Sequence, residues 1–124
     1  MQNYNPKSKS DINERAYKFG LNIIDLTNKL PNKRSAWVIS DQLIRSATSI
    51  GANLVEGRAA SSRLEFKKFY EISLKSANET KYWLSLLKDS GLTTKETIVP
   101  LLNEVTELAN MLASGVMKLK IKKF

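Results

Sequence analysis

Gln42 to Gly57 reads QLIRSATSIGANLVEG. Leu43, Ala47, Ile50 and Leu54 recur at steps of four and three, the seam spacing of a helix in a bundle. Only Arg45 and Glu56 carry charge in this stretch. A helix on the surface of a lone bundle shows one wet, charged face. This one has apolar residues on one side and small or mildly polar residues on the other. The stretch therefore predicts a helix covered on two sides, once by its own fold and once by another body. A second copy of the chain is the expected body. Gly51 in the helix interior costs about 1 kcal/mol relative to alanine, and close approach of another helix is the expected offset.

The flanking sequence repeats the pattern. From about Asp11 to Leu30, the residues Ile12, Ala16, Phe19, Ile23, Leu26 and Leu30 alternate steps of four and three. Asp11 is the expected N-cap, with Glu14 three residues on, and Pro31 ends the run because the residue before proline avoids helical geometry. The second helix runs from about Ser35 to Glu56, with Ile39 or Ser40 beginning its stripe and Gly57 as its C-terminal stop. The third runs from about Arg63 to Ser90. Ser62 and Glu65 form a capping box, the stripe is Phe66, Tyr70, Ser73, Ala77, Thr80, Leu84 and Leu87, and Gly91 closes the helix. Thr93 and Glu96 open the fourth, whose stripe is Ile98, Leu101, Leu102, Val105, Leu108, Leu112, Val116 and Leu119. Pro100, about two turns in, predicts a kink or a short opening turn. No strand pattern competes. Short connections between long helices make sequential neighbours antiparallel. The expected fold is all-α: one domain over residues 1–124, an antiparallel up-down-up-down four-helix bundle with a tail at 1–10 and a basic tail at 120–124.

Composition narrows the chemistry. The chain has no cysteine and no histidine. Disulfides and thiolate metal sites are excluded, as are the commonest general base and the commonest metal ligand. No catalytic residue, cofactor or metal is expected. No apolar run approaches the roughly 18 residues of a membrane span, the N-terminus lacks the apolar core of a secretory signal, and a cytoplasmic location is expected. Net charge is +8, which suggests an anionic partner. Lys7 and Lys9 at one end and Lys118, Lys120, Lys122 and Lys123 at the other account for most of it, leaving +2 for residues 11–117.

Four constellations invite a functional reading. Ser46, Ser49, Asn53 and Glu56 fall on one side of the second helix and form either a subunit interface or a contact within one bundle; the former is favoured. Buried polar groups need partners, and Arg45 of the same or a neighbouring chain is the candidate for Glu56. On the third helix, Lys67, Lys68, Lys75, Lys81 and Lys88 share the arc opposite the core, which is either a phosphate-binding face or a solvated face; Glu71 among them fits the latter. The run KLKIKKF at residues 118–124 has the highest local charge density and suits nucleic-acid backbone. Arg58 and Arg63 flank the loop between the second and third helices and would add to it. Lysine rather than arginine dominates, so base reading is not expected. Tyr70, Tyr82, Trp37 and Trp83 could stack bases, but aromatics at helical spacing are more often core. Trp37, near Lys33 and Arg34, is the exception. Glu104 and Glu107 lie three apart, but a di-metal bundle also needs a Glu-x-x-His motif.

With these residues placed, the chain resembles the four-helix-bundle family of 23S ribosomal RNA intervening-sequence proteins. Gln42-Leu43, Arg45, Ser49-Ile50, Asn53 and Glu56-Gly57 match its second-helix signature, and Glu65-Phe66, Phe69, Ile72-Ser73, Ser76 and Glu79 its third. Leu108, Met111-Leu112 and Leu119 fit the last helix, so the likeness spans roughly residues 12–120. Ile44, Gly51 and Val55 depart from the pattern, standing where a basic residue, a proline and a small residue are common. The resemblance implies an up-down bundle assembling into five-fold rings. It also implies kinship with an accessory protein of diversity-generating retroelements that binds nucleic acid and a reverse transcriptase.

The expected function is non-enzymatic nucleic-acid binding by a homo-oligomer, with RNA favoured over DNA and low sequence specificity. The expected contacts are Arg58, Arg63, Lys67, Lys68, Lys75, Lys118, Lys120, Lys122 and Lys123. The expected assembly surface is Arg45, Ser46, Ser49, Asn53 and Glu56, with a pentamer implied by the resemblance. The alternative is a structural ring that recruits a protein partner such as a reverse-transcriptase-like enzyme.

Overall fold

The structure, a computed structural model, describes residues 12–121. They form four helices: α1 (Ile12–Asn28), α2 (Arg34–Arg58), α3 (Arg63–Ser90) and α4 (Lys95–Ile121). No strand occurs among the described residues. The chain is an all-α four-helix bundle.

The apolar stripes build the core. Phe19, Ile23, Leu43, Ile50, Leu84, Leu87, Ile98, Leu108 and Leu112 are almost wholly shielded from solvent. The stripes loosen toward their ends, where Leu30, Tyr70, Leu101 and Leu102 are only half-buried. α2 packs on α1 and α3, and α4 packs on α3 and α1. Between α1 and α2, and between α2 and α3, the paired positions rise in number on one helix as they fall on the other. α1 and α2 meet where Gly20 lies beside Thr48 and Gly51 beside Ala16. Ser46 meets Thr80, and Ser73 meets Ile50. Arg15 reaches Glu104, Glu107 and Met111.

Helix ends follow local chemistry, with three departures from the sequence reading. Asp11, the expected cap of α1, lies outside the described residues. At α3, Ser62 Oγ accepts from the Glu65 backbone N–H at 3.1 Å. The Glu65 carboxylate reaches back to the N–H of Ser61, at 2.7 Å, rather than to that of Ser62. At α4 the capping hydroxyl is that of Thr94, not Thr93; it accepts from the Thr97 N–H at 3.2 Å. Gly91 ends α3 with φ of 78°, a left-handed conformation that glycine adopts without the Cβ penalty.

Gly57 is the third departure. It does not stop α2, which continues to Arg58. A Cβ at Gly57 would sit 3.3 Å from Phe69 Cβ, so the missing side chain lets α2 and α3 close together. Gly115 does the same for α4, where a Cβ would fall 2.5 Å from the Tyr70 ring. The helix is continuous through Pro100.

Candidate nucleic-acid interface

The small-residue strip of α2 is spent inside the protomer. Ser46 is fully buried, and its Oγ accepts from Thr80 Oγ1 at 2.9 Å. Ser76 Oγ donates to Ser49 Oγ at 2.9 Å, and Asn53 Nδ2 donates to the same oxygen at 2.9 Å. Ser73 Oγ donates to the Ile50 carbonyl at 2.8 Å. The strip on α2 is matched by Ser73, Ser76 and Thr80 on α3, so its hydrogen-bonding capacity is met within the α2–α3 contact. The physical reason is spacing: both helices carry hydroxyls on facing arcs, and short side chains allow the approach.

Within one protomer, Arg45 has a partner other than Glu56. It pairs with Glu79 of α3 and donates a second hydrogen bond to Gln42 Oε1 at 2.8 Å. Glu79 accepts in addition from Trp83 Nε1 at 2.9 Å. The Trp83 hydrogen bond, helped by the Arg45 hydrogen bond and charge and opposed by desolvation, holds the Glu79 carboxyl below its ordinary range. A depressed carboxylate stabilises the fold above its unfolded-state value and loses that contribution as acid protonates it. Glu56 is exposed.

What α2 leaves open is a different face. Thr48, Ala52 and Val55 project outward beside Tyr17, Leu21 and Ile24 of α1. Val55 is 59%, Tyr17 69% and Leu21 50% exposed. Together they border an apolar groove of about 300 Å³ whose floor is Gly20 and Gly51. No lining residue is charged. Added methyls at the two glycines would make only ordinary contacts, 3.8 Å to Thr48 and 3.6 Å to Ala16. The bundle itself therefore does not demand glycine at either position.

The predicted basic residues do not line the groove; they lie on α3, at the α2–α3 connection and on the last turns of α4. Lys68 and Lys75 are exposed on α3, and Lys67 is half-buried beside them. Arg58 and Arg63 are exposed at the α2–α3 connection. Lys118 and Lys120 are exposed on the last turns of α4, which is helical where a tail was expected to begin. Lys122 and Lys123 lie outside the described residues. Lys68, Lys75, Lys118 and Lys120 form no ion pair with another described residue. Glu65 caps α3, Glu79 holds Arg45, and Glu104 and Glu107 hold Arg15, whereas Glu71, half-buried between Lys68 and Lys75, pairs with neither lysine.

Tyr82, named among the aromatics that could stack bases but are more often core, is 57% exposed. It stands on the same outer line of α3 as Lys68 and Lys75, at seven-residue steps. Those steps were the signal in the sequence that could have found it.

A model of the 23S rRNA-intervening sequence proteins matches residues 8–114. The chain belongs to that family. A crystal structure from Bacteroides thetaiotaomicron, described as a protein with unknown function from the S23 ribosomal protein family, is 38% identical to it. The match covers 85% of this chain and 97% of that one, with a TM-score of 0.80. No curated protein matches the chain. Within this intervening-sequence protein, the resemblance drawn from the α2 and α3 motifs is thus correct. Those motif residues fall chiefly in the α2–α3 contact, where Ser49, Asn53, Ser73, Ser76 and Glu79 interlock.

Proposed function

We propose that this protein is a non-enzymatic, self-associating nucleic-acid-binding bundle that holds RNA through phosphate contacts with little regard for sequence. The observation that supports the reading is that exposed Lys68, Lys75, Lys118 and Lys120 form no ion pair with another described residue. The pairing of Ala16 with Gly51 and Gly20 with Thr48, and of Ser46 with Thr80 and Ile50 with Ser73, supports an antiparallel up-down-up-down topology. That topology puts Arg58, Arg63, Lys67, Lys68, Lys118 and Lys120 at one end of the bundle. Each neutralised phosphate releases counterions, so binding weakens with salt. Repetition of a modest basic patch in a ring would raise effective concentration. A cytoplasmic location goes with this reading.

The test is retention of a single-stranded RNA by the intact chain at about 50 mM and about 200 mM salt. Four phosphate contacts correspond to a loss of roughly tenfold to a hundredfold over that range. Lys68→Glu with Lys75→Glu is expected to weaken retention at least tenfold, and a chain ending at Met117 to weaken it less. No retention by the intact chain at the lower salt would reject the reading.

Copies are proposed to meet through the α1–α2 groove, not through the strip of Ser46, Ser49 and Asn53. Its uncharged lining and glycine floor support a protein surface there. Val55→Glu places a charge on a site that is exposed in one chain, so it is expected to lower the mass in solution while leaving helicity unchanged. Unchanged mass in an associating protein would move the contact elsewhere. A ring without nucleic-acid affinity is the scaffold alternative, and the pair of experiments separates the two.

A further inference from the structure

The geometry points to Tyr82 as a stacking platform for an unpaired nucleobase, which makes the ligand of the α3 face a single-stranded nucleic acid. This rests on the phosphate-binding reading above and names its substrate class. Tyr82 presents more than half its surface to solvent. Its ring packs edge-on against Trp83, with centroids 5.0 Å apart and an interplanar angle of 73°. Trp83 is held in turn: its Nε1 donates to Glu79 at 2.9 Å, and Glu79 is paired with Arg45. An aromatic ring held this way loses little freedom on binding, which favours affinity.

The surroundings favour nucleic acid over an apolar protein surface. Lys68, Lys75 and Tyr82 follow one line on α3 at seven-residue steps, about 10 Å apart along the axis. Asn78, exposed between Lys75 and Tyr82, offers an amide to a base edge. Of the carboxylates on that side, Glu79 is engaged by Arg45 and Trp83. Glu71 between the lysines is half-buried, and Asp89 lies two turns beyond Tyr82. A basic track with an aromatic on it is the arrangement that reads single strands, because every base has a face to stack. In a duplex those faces are already covered. Tyr17, also exposed, borders an uncharged groove and lacks the track.

The experiment compares 12-nucleotide oligoadenylate and a 12-base-pair RNA duplex on the full chain, with Tyr82→Ala and Tyr82→Phe. Tyr82→Ala is expected to weaken oligoadenylate binding about fivefold to a hundredfold and to leave both duplex affinity and the salt slope unchanged. Tyr82→Phe should keep the wild-type affinity. Thermal melts report that both variants remain folded, as an exposed position allows. If wild-type protein binds oligoadenylate and Tyr82→Ala binds it equally well, the stacking role is wrong while phosphate binding stands. An equal loss on duplex and single strand would also overturn it. If the wild-type chain binds neither RNA, both inferences fall, and the exposed ring belongs to a protein contact.

Discussion

Phe19→Ala is expected to remove about 3–5 kcal/mol of stability. Phe19 is 1% exposed and is the largest of the fully buried side chains. It extends from α1 toward the opening turns of α4, beside Pro100, Leu101 and Glu104. Alanine there forfeits the transfer free energy of the ring and leaves a void that backbone helices cannot collapse into without moving α1 as a body. A domain of this size has a total stability of roughly 5–15 kcal/mol, so the loss takes a large share of it. The denaturation midpoint should fall by on the order of 10 °C. Phe19→Leu, which keeps most of the volume, should cost about 1 kcal/mol. Chemical denaturation of both variants, monitored by helicity, checks the order. A Phe19→Ala loss below about 1 kcal/mol would mean that α1 is not packed on the core as described.

The four helices were legible because the seam stripes leave few alternatives. Ile12, Ala16, Phe19, Ile23 and Leu26 can all be buried together only on a helix, and they are. Glycine was harder to read. Gly91 and Gly57 look alike in sequence, each following a helical run, yet one takes a left-handed turn and the other stays helical because Phe69 and Phe66 crowd it. No local signal separates a glycine needed for its φ from one needed for a neighbour's bulk. The strip of Ser46, Ser49 and Asn53 was legible as a helix contact but not as a contact with a particular helix. Its answer lay 27 to 34 residues away, in Ser76 and Thr80. Periodicity on one helix says that a face is covered and is silent about what covers it.

The charge-poor character of α2 therefore has two causes. One arc carries hydroxyls because α3 carries the complementary ones. The other carries Thr48, Ala52 and Val55, which join α1 in the open apolar groove. The basic residues are excluded from that groove and lie on α3 and the end of α4. The molecule thus divides an uncharged face from a charged one, and a contact between copies on the first leaves the second available.

Arg15→Met is expected to cost about 2–4 kcal/mol, and its mechanism differs from that of the ring deletion. Arg15 is a charged residue only 6% exposed. It was not legible as structural, since an arginine beside an apolar stripe ordinarily lies along the surface with its head in water. Here the guanidinium turns across the α1–α4 contact. Nη2 donates to Glu104 at 2.7 Å and to Glu107 at 2.8 Å, Nε donates to Glu104 at 3.0 Å, and Nη1 lies 3.5 Å from Met111 Sδ. The fork on Glu104 is the bidentate geometry that distinguishes arginine from lysine. Methionine fills the stem volume but leaves two carboxylates facing each other without their cation. Breaking a buried pair from one side costs about 3–5 kcal/mol. Glu104 and Glu107 retain 31% and 64% side-chain exposure, so water recovers part of their solvation and the expected value sits below that range. Adding Glu104→Gln and Glu107→Gln removes the stranded charges, and the triple variant should regain at least half of the loss. If Arg15→Met is as stable as wild type, the network is a surface feature. If the triple variant regains nothing, the arginine stem, not its charge, is what holds α1 to α4.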